Sequence, residues 1–365
     1  MPKPTVPLHL AARLQRLRQR LDSVDALLVT HPVDIRYLTG FVGEDAWALV
    51  PRRGAVTVLS DARFETQIQR EAPHVHAVMR KNSLADELAR IMDRRGFDQL
   101  AIQPAHVSVA MRKTLVKKLG AKRLIERDDQ LLDQRAIKDV GEVKAIRKAI
   151  AIGQQAYREL LSFLKPGVTE GQAAAFLEYR MRCLGADGTS FPSIVAADDN
   201  AALPHAIPGS RKLKAGSLVL IDWGAKYQGY CGDLTRVVAL GRMKPKLREI
   251  YQVCLDAQQA AIAAIAPGVD LAQVDRVARD WITKAGYGKQ FGHSLGHGIG
   301  LEVHEQPVLS ERAKGVLVPG QIVTVEPGIY LPGLGGVRIE DDVQVTVRGH
   351  KVLGDLPKSL ESAII

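Results

Sequence analysis

The chain has 365 residues, 46% of them hydrophobic and 25% charged. That supports one large or two ordinary domains with real cores, and it excludes a small stapled or disordered protein. Lys and Arg outnumber Asp and Glu by 50 to 40, but aromatics make up only 5%, so nucleic-acid binding by base stacking has little to work with.

Residues 1–24 are basic and then helical, with Leu10, Leu14, Leu17 and Leu21 at helix spacing. They lack the apolar core of a signal peptide, and no stretch reaches the ~20 apolar residues that span a bilayer. Cys183, Cys231 and Cys254 are scattered and form no CxxC pair, which argues against a disulfide framework or a thiolate zinc site. A cytoplasmic protein without a membrane partner is expected. From Asp25 to about Leu131, short apolar runs alternate with helical patterns. Ala26–Thr30, Trp47–Val50, Ala55–Leu59, Val75–Met79 and Leu100–Ile102 read as strands, and Ala62–Arg70, Leu84–Arg95 and Val107–Leu119 as helices, giving an α/β domain. The charged stretch Leu132–Gly141 breaks the pattern, and a long helix from Glu142 to Leu164 follows. The expected domains are residues 1–134 and 135–365.

The second domain contains an internal repeat. Leu164-Lys165-Pro166-Gly167-Val168-Thr169 recurs as Ile265-Ala266-Pro267-Gly268-Val269-Asp270, an offset of 101. Ala215–Gly224 lines up with Pro319–Gly328 at an offset of 104. Each copy reads as helix, Pro-Gly turn, helix and a Gly-led apolar strand carrying one acid. Two such copies pack as halves around a pseudo-symmetric core, an α+β arrangement.

Each copy also folds back as a hairpin. Leu218–Ala225 turns at Lys226–Gly229 and returns as Tyr230–Leu240. Pairing Ala225 with Tyr230 sets Asp222 opposite Asp233. Ile322–Tyr330 turns at Leu331–Gly335 and returns as Gly336–Val347. Pairing Tyr330 with Gly336 sets Glu326 opposite Glu340. Like charges directly opposite on a sheet destabilise it, and buried carboxylates need a partner or a metal. Only Arg236 and Arg338 lie within these strands, so divalent cations are the simplest compensation. Phe291–Glu305 adds His293, His297 and His304 in a glycine-rich stretch that suits neither a helical HExxH motif nor a GxGxxG loop. His205 lies in the proline-bounded loop Leu203–Pro208. Four carboxylates with one imidazole suit Mn²⁺, Co²⁺ or Fe²⁺ and are compatible with zinc.

These residues resemble the pita-bread metallopeptidases, in particular the Xaa-Pro aminopeptidase and prolidase branch. The resemblance rests on Ile221-Asp222-Trp223-Gly224, Gly232–Arg236, Gly292–Gly300, Val325–Gly328 and Arg338-Ile339-Glu340. Asp34–Leu38 followed by Thr39-Gly40-Phe41, and Asp61-Ala62-Arg63-Phe64, resemble the creatinase-type amino-terminal domain. The resemblance implies a C-terminal pita-bread fold behind a smaller α/β domain, and a cofactor of two divalent metals, manganese foremost. Asp222 would chelate the first metal, Asp233 and Glu340 would bridge both, and His297 and Glu326 would hold the second. A water activated between the metals would attack an Xaa-Pro bond. His304 would polarise the carbonyl, His205 would stabilise the tetrahedral intermediate, Glu326 would shuttle the proton, and His293 with Arg338 would frame the proline. The implied substrate is a short peptide with proline second, and the implied assembly is a homodimer. The rivals are a metal-independent creatinase-like hydrolase and a non-catalytic binding protein on the same fold.

Overall fold

The computed structural model describes residues 5–128 and 130–365; residues 1–4 and 129, which fall in the expected first domain, lie outside it. The chain divides into two compact units, one ending at Gln134 and the other starting at Arg135. In the first unit, α1 (Leu8–Gln19) buries Leu10, Leu14 and Leu17 along one face. β1 (Ala26–Val29), α2 (Pro32–Thr39), β2 (Trp47–Pro51), β3 (Thr57–Ser60), α3 (Glu65–Glu71) and β4 (His76–Met79) follow. α4 (Leu84–Arg95), β5 (Leu100–Ile102), α5 (Val109–Leu119) and β6 (Leu124–Glu126) complete it. The strands form one mixed sheet in the order β4-β3-β2-β1-β5-β6, whose Leu28, Leu49, Leu59 and Ile102 pack against α4 and α5.

Two expectations need correction here. The helix expected over Ala62–Arg70 is a 3₁₀ turn, Ala62–Phe64, followed by α3, because Asp61 accepts a hydrogen bond from the Arg63 N–H and tightens the start. The helix expected from Val107 starts at Val109, where the Ser108 hydroxyl caps it. α2 and β6 escape the sequence reading: α2 has only eight residues, and β6 ends on an exposed Glu126 with no fully buried residue, unlike the equally short but all-apolar β5.

α6 (Gln130–Ala136) precedes the second unit's helices α7 (Val140–Phe163) and α8 (Glu170–Cys183). α7 opens on a reciprocal capping box between Asp139 and Glu142. β7 (Gly188–Thr189), β8 (Ile194–Ala197), β9 (Leu218–Trp223), β10 (Ala225–Tyr227), β11 (Tyr230–Cys231) and β12 (Leu234–Ala239) close the first copy. The second copy holds α9 (Pro245–Ala263), α10 (Leu271–Lys284), β13 (Gly296–Gly298), β14 (Glu305–Leu309), β15 (Ile322–Val325), β16 (Gly328–Leu331), β17 (Gly335–Arg338), β18 (Asp341–Thr346) and β19 (Gly349–Val352).

The repeat is visible in single hydrogen bonds. Gly167 N–H donates to Leu213 and its counterpart Gly268 N–H to Leu317, at 2.9 and 2.8 Å. The bridge Thr169–Lys212 recurs as Asp270–Val316. Gly167 and Gly268 both sit at positive φ, 98° and 84°, which fixes glycine at each Pro-Gly turn. The halves meet where Glu340 N–H donates to Thr235 at 3.2 Å, over a core that mixes Leu220 and Val237 from one copy with Val323 and Val343 from the other. Among the described residues no helix is long and apolar enough to cross a membrane.

The hairpin registers differ in how well the sequence foretells them. In the second, Tyr330 pairs with Gly336 and Gly328 with Arg338, as expected. Val325–Asp341 and Thr324–Asp342 continue the same register, which leaves Glu326 and Glu340 facing each other in the gap between ladders. In the first, the expected pairing of Asp222 with Asp233 is wrong by two residues. Tyr227 pairs with Tyr230, and Asp222 with Thr235. The cause is the turn: Gln228 and Gly229 both adopt positive φ, 47° and 74°, and make a two-residue loop where a four-residue one was expected. A slip of two keeps every side chain on its face, so Asp222 and Asp233 remain diagonal neighbours.

Candidate metal centre

Three of the four strand carboxylates lie where a ladder is interrupted. Asp233 falls between β11 and β12, Glu326 between β15 and β16, and Glu340 between β17 and β18. The interruptions free these side chains to converge. Asp233, His297 and Glu340 each offer a ligand atom, and those atoms lie within 4.8 Å of one another. His297 Nε2 stands 3.3 Å from Glu326 Oε1 and 3.8 Å from Asp233 Oδ2. The other ring nitrogen, Nδ1, lies 3.1 Å from the Gly298 carbonyl. A proton on Nδ1 leaves the Nε2 lone pair facing the carboxylates, the arrangement a metal-binding imidazole needs. His297 reaches this position on β13, between β14 and β15. A Cβ on Gly298 would lie 2.1 Å from the Gln306 carbonyl, and one on Gly296 2.0 Å from that of Thr324. The flanking glycines therefore follow from the close strand packing.

Asp222 is buried and held by Arg338, whose Nη2 donates to Oδ2. Its Oδ1 is buried with no hydrogen-bond partner. A fifth carboxylate, Asp342, accepts from the Asp233 N–H at 3.0 Å through one oxygen, while its other oxygen is likewise unpartnered. Such atoms are costly in a dry site unless a cation is near. Burial first, then Glu340, Asp222 and Asp342, pushes Asp233 well above the usual carboxylate range. Burial, then Glu326 and Asp222, does the same to Glu340. Burial raises Asp342 to about 8. Glu326 is the exception: burial drives it up, but the hydrogen bond and charge of His297 hold it below its ordinary value. An oxygen-rich cage with one imidazole and orphaned buried oxygens fits divalent cations.

The remaining expected residues surround this cage. The His293 ring bonds to the Ser294 carbonyl at 2.8 Å and to the Tyr330 hydroxyl at 3.0 Å. Arg338 is buried and commits its donors to protein: Nε to Thr235 Oγ1 at 3.1 Å, Nη1 to Tyr330 at 2.8 Å and to the Pro204 carbonyl at 3.3 Å, Nη2 to Asp222. His304 is exposed and meets the His297 ring edge-on, with centroids 4.4 Å apart. Burial, then the charges of His297 and His205, holds His304 below its usual range. His205 itself is exposed. Sequence reasoning misses Thr235, Tyr330 and Asp342. Asp342 and Thr235 were within reach, because each lies two residues beyond a flagged acid and so shares its face.

Residues 144–347 match the model of metallopeptidase family M24, and residues 13–137 match the creatinase/prolidase N-terminal domain. The uncharacterized peptidase YqhT of Bacillus subtilis is 37% identical over 350 residues, covering 95% of this chain and 99% of that protein. The Xaa-Pro dipeptidase from Bacillus anthracis superposes with a TM-score of 0.93 at 36% identity, covering 98% of this chain and all of that one (100%). The X-Pro aminopeptidase from Thermotoga maritima gives 0.89 at 35% identity, with 96% and 100% covered. The chain therefore belongs to metallopeptidase family M24, with a creatinase/prolidase N-terminal domain ahead of its pita-bread unit.

Proposed function

We propose that this peptidase uses two divalent cations to cleave the bond preceding proline, in Xaa-Pro dipeptides or at the start of short peptides. The observation that carries the reading is the buried cage itself: Asp233, His297 and Glu340 converge beside an Asp222 oxygen that has no partner. Its similarity to an Xaa-Pro dipeptidase and an X-Pro aminopeptidase supports the substrate class. Asp222, Asp233, His297, Glu326 and Glu340 are the proposed ligands. Residues 1–134 and 135–365 are the proposed domains, in a cytoplasmic homodimer with manganese the first candidate metal.

Divalent cations held by those five residues would supply Lewis acidity and lower the pKa of a nearby water toward neutral pH. Glu326, held by Thr324 and His297, takes a proton from that water and passes it to the proline nitrogen as the C–N bond breaks. His304 donates to the scissile carbonyl oxygen, and His205 to the oxyanion of the tetrahedral intermediate. His293 lines the proline side. Arg338 acts from behind, fixing Asp222 and Tyr330. The deciding experiment compares hydrolysis of Ala-Pro and Ala-Pro-Ala by protein loaded with manganese or cobalt. Cleavage of either at the proline bond supports the reading, and cleavage of neither overturns it.

A further inference from the structure

His304 sits at the end of a turn whose base is held by charge. Glu305, the next residue, begins β14, and its Cα pairs with Gly298, next to His297. Its carboxylate is buried and fully engaged. Oε1 accepts from Arg135 Nη2 at 2.5 Å and from the Glu302 N–H at 3.2 Å, and Oε2 accepts from Lys138 Nζ at 3.1 Å. Arg135 also reaches Glu302 Oε2 at 2.6 Å. Arg135 and Lys138 are buried as well, at 1% and 6% exposure, so none of the three can turn to water for a substitute partner. Burial alone would raise Glu305, but Lys138 and Arg135 hold it ionised, below its ordinary value.

The turn is shaped around this carboxylate. A Cβ on Gly300 would lie 2.5 Å from Glu305 Oε2. Gly300 N–H donates to the Glu302 carbonyl at 3.0 Å, and the Gly300 carbonyl accepts from Cys231 N–H at 2.7 Å, two residues before Asp233. The buried anion thus braces the turn that ends at His304 against β13, the strand that carries His297. Its hydrogen bonds go to Arg135, Lys138 and the Glu302 N–H, and not to a proposed metal ligand.

We propose that Glu305, clamped by Arg135 and Lys138, is a positioning residue that sets His304 against His297 and so sets the rate of peptide cleavage. The inference rests on the reading of His304 as the group that polarises the scissile carbonyl. Arg135 and Lys138 enter only as the cations that hold the clamp.

The test is a double-mutant cycle on manganese-loaded protein with Ala-Pro-Ala, supported by a crystal structure of the Glu305→Gln variant. Glu305→Gln should lower kcat about tenfold or more, with KM and metal content near those of the parent. In a His304→Ala background the same change should cost less than about twofold, because residues acting as one unit are non-additive. The variant's structure should show the His297–His304 edge contact opened from 4.4 Å. Equal losses in both backgrounds, or an unchanged contact in the variant, overturn the proposal. If Glu305→Gln does not fold, Lys138→Met is read by the same cycle and the same contact. A parent that cleaves neither peptide defeats the proposed function instead, and the ring contact then decides the positioning role by itself.

Discussion

Replacing Asp342 with Asn probes the electrostatics of the cage in the absence of metal. The Asp342 carboxyl lies at about 8 against an ordinary 3.8, through burial. A carboxyl raised in the folded state costs nothing below its unfolded value, costs progressively more as pH climbs between the two values, and carries its full cost above the higher one. At pH 7 the gap from 3.8 is roughly three units. At about 1.4 kcal/mol per unit, that is about 4 kcal/mol of destabilisation. Asn keeps an oxygen to accept the Asp233 N–H and turns its NH₂ toward neighbouring carboxylates, so most of that cost is relieved without a lost contact. Chelator-treated parent and Asp342→Asn proteins, unfolded in urea at pH 5 and pH 8, give the comparison. The variant should be more stable at both, by about 3–5 kcal/mol at pH 8 and by roughly 1–2 kcal/mol at pH 5. A variant less stable than the parent at pH 8, or a difference independent of pH, would refute the reasoning.

Asp233→Asn and His297→Ala should each lower kcat/KM by at least ~100-fold while far-ultraviolet circular dichroism stays that of the parent, because each removes a proposed direct ligand; near-normal turnover in either would sink the dinuclear assignment. His304→Ala should lower kcat by roughly 10²-fold with metal content unchanged, as loss of one carbonyl-polarising donor does, and metal loss measured by elemental analysis would reassign that histidine. Gly298→Ala should destabilise the protein by about 1–3 kcal/mol in urea unfolding, since its Cβ would lie 2.1 Å from the Gln306 carbonyl. An unchanged midpoint would mean that β14 gives way freely.

The acids of the second hairpin were legible as an opposed pair because Pro332 and Gly333 mark its loop, and one pairing, Tyr330 with Gly336, then fixes Glu326 against Glu340. The first hairpin defeats the same arithmetic. Gln228 at positive φ is not a residue that advertises a tight turn, whereas Asn or Asp there would have been read correctly. The error left the site intact because register slips of two preserve the face. Arg338 was flagged as one of two arginines within the acid-bearing strands and by the family resemblance, two residues before Glu340, but its commitment to Asp222, Thr235 and Tyr330 depends on side chains up to 116 residues away, which no local pattern encodes. The Glu305 clamp is hidden for the same reason: its cations precede it by 170 and 167 residues. In the first unit, α4 covers the expected Leu84–Arg95, and the structure caps that span with Ser83 at one end and Gly96 in the left-handed region at the other. The three residues of β6, ending on the exposed Glu126, were not expected.

The most direct measurement is a crystal structure of manganese-soaked protein, with anomalous scattering recorded to place the metal. Two peaks about 3.5–4 Å apart, enclosed by Asp222, Asp233, His297, Glu326 and Glu340, are the expected result. A protein that binds manganese elsewhere, or holds none among those five side chains, would contradict the account at its root.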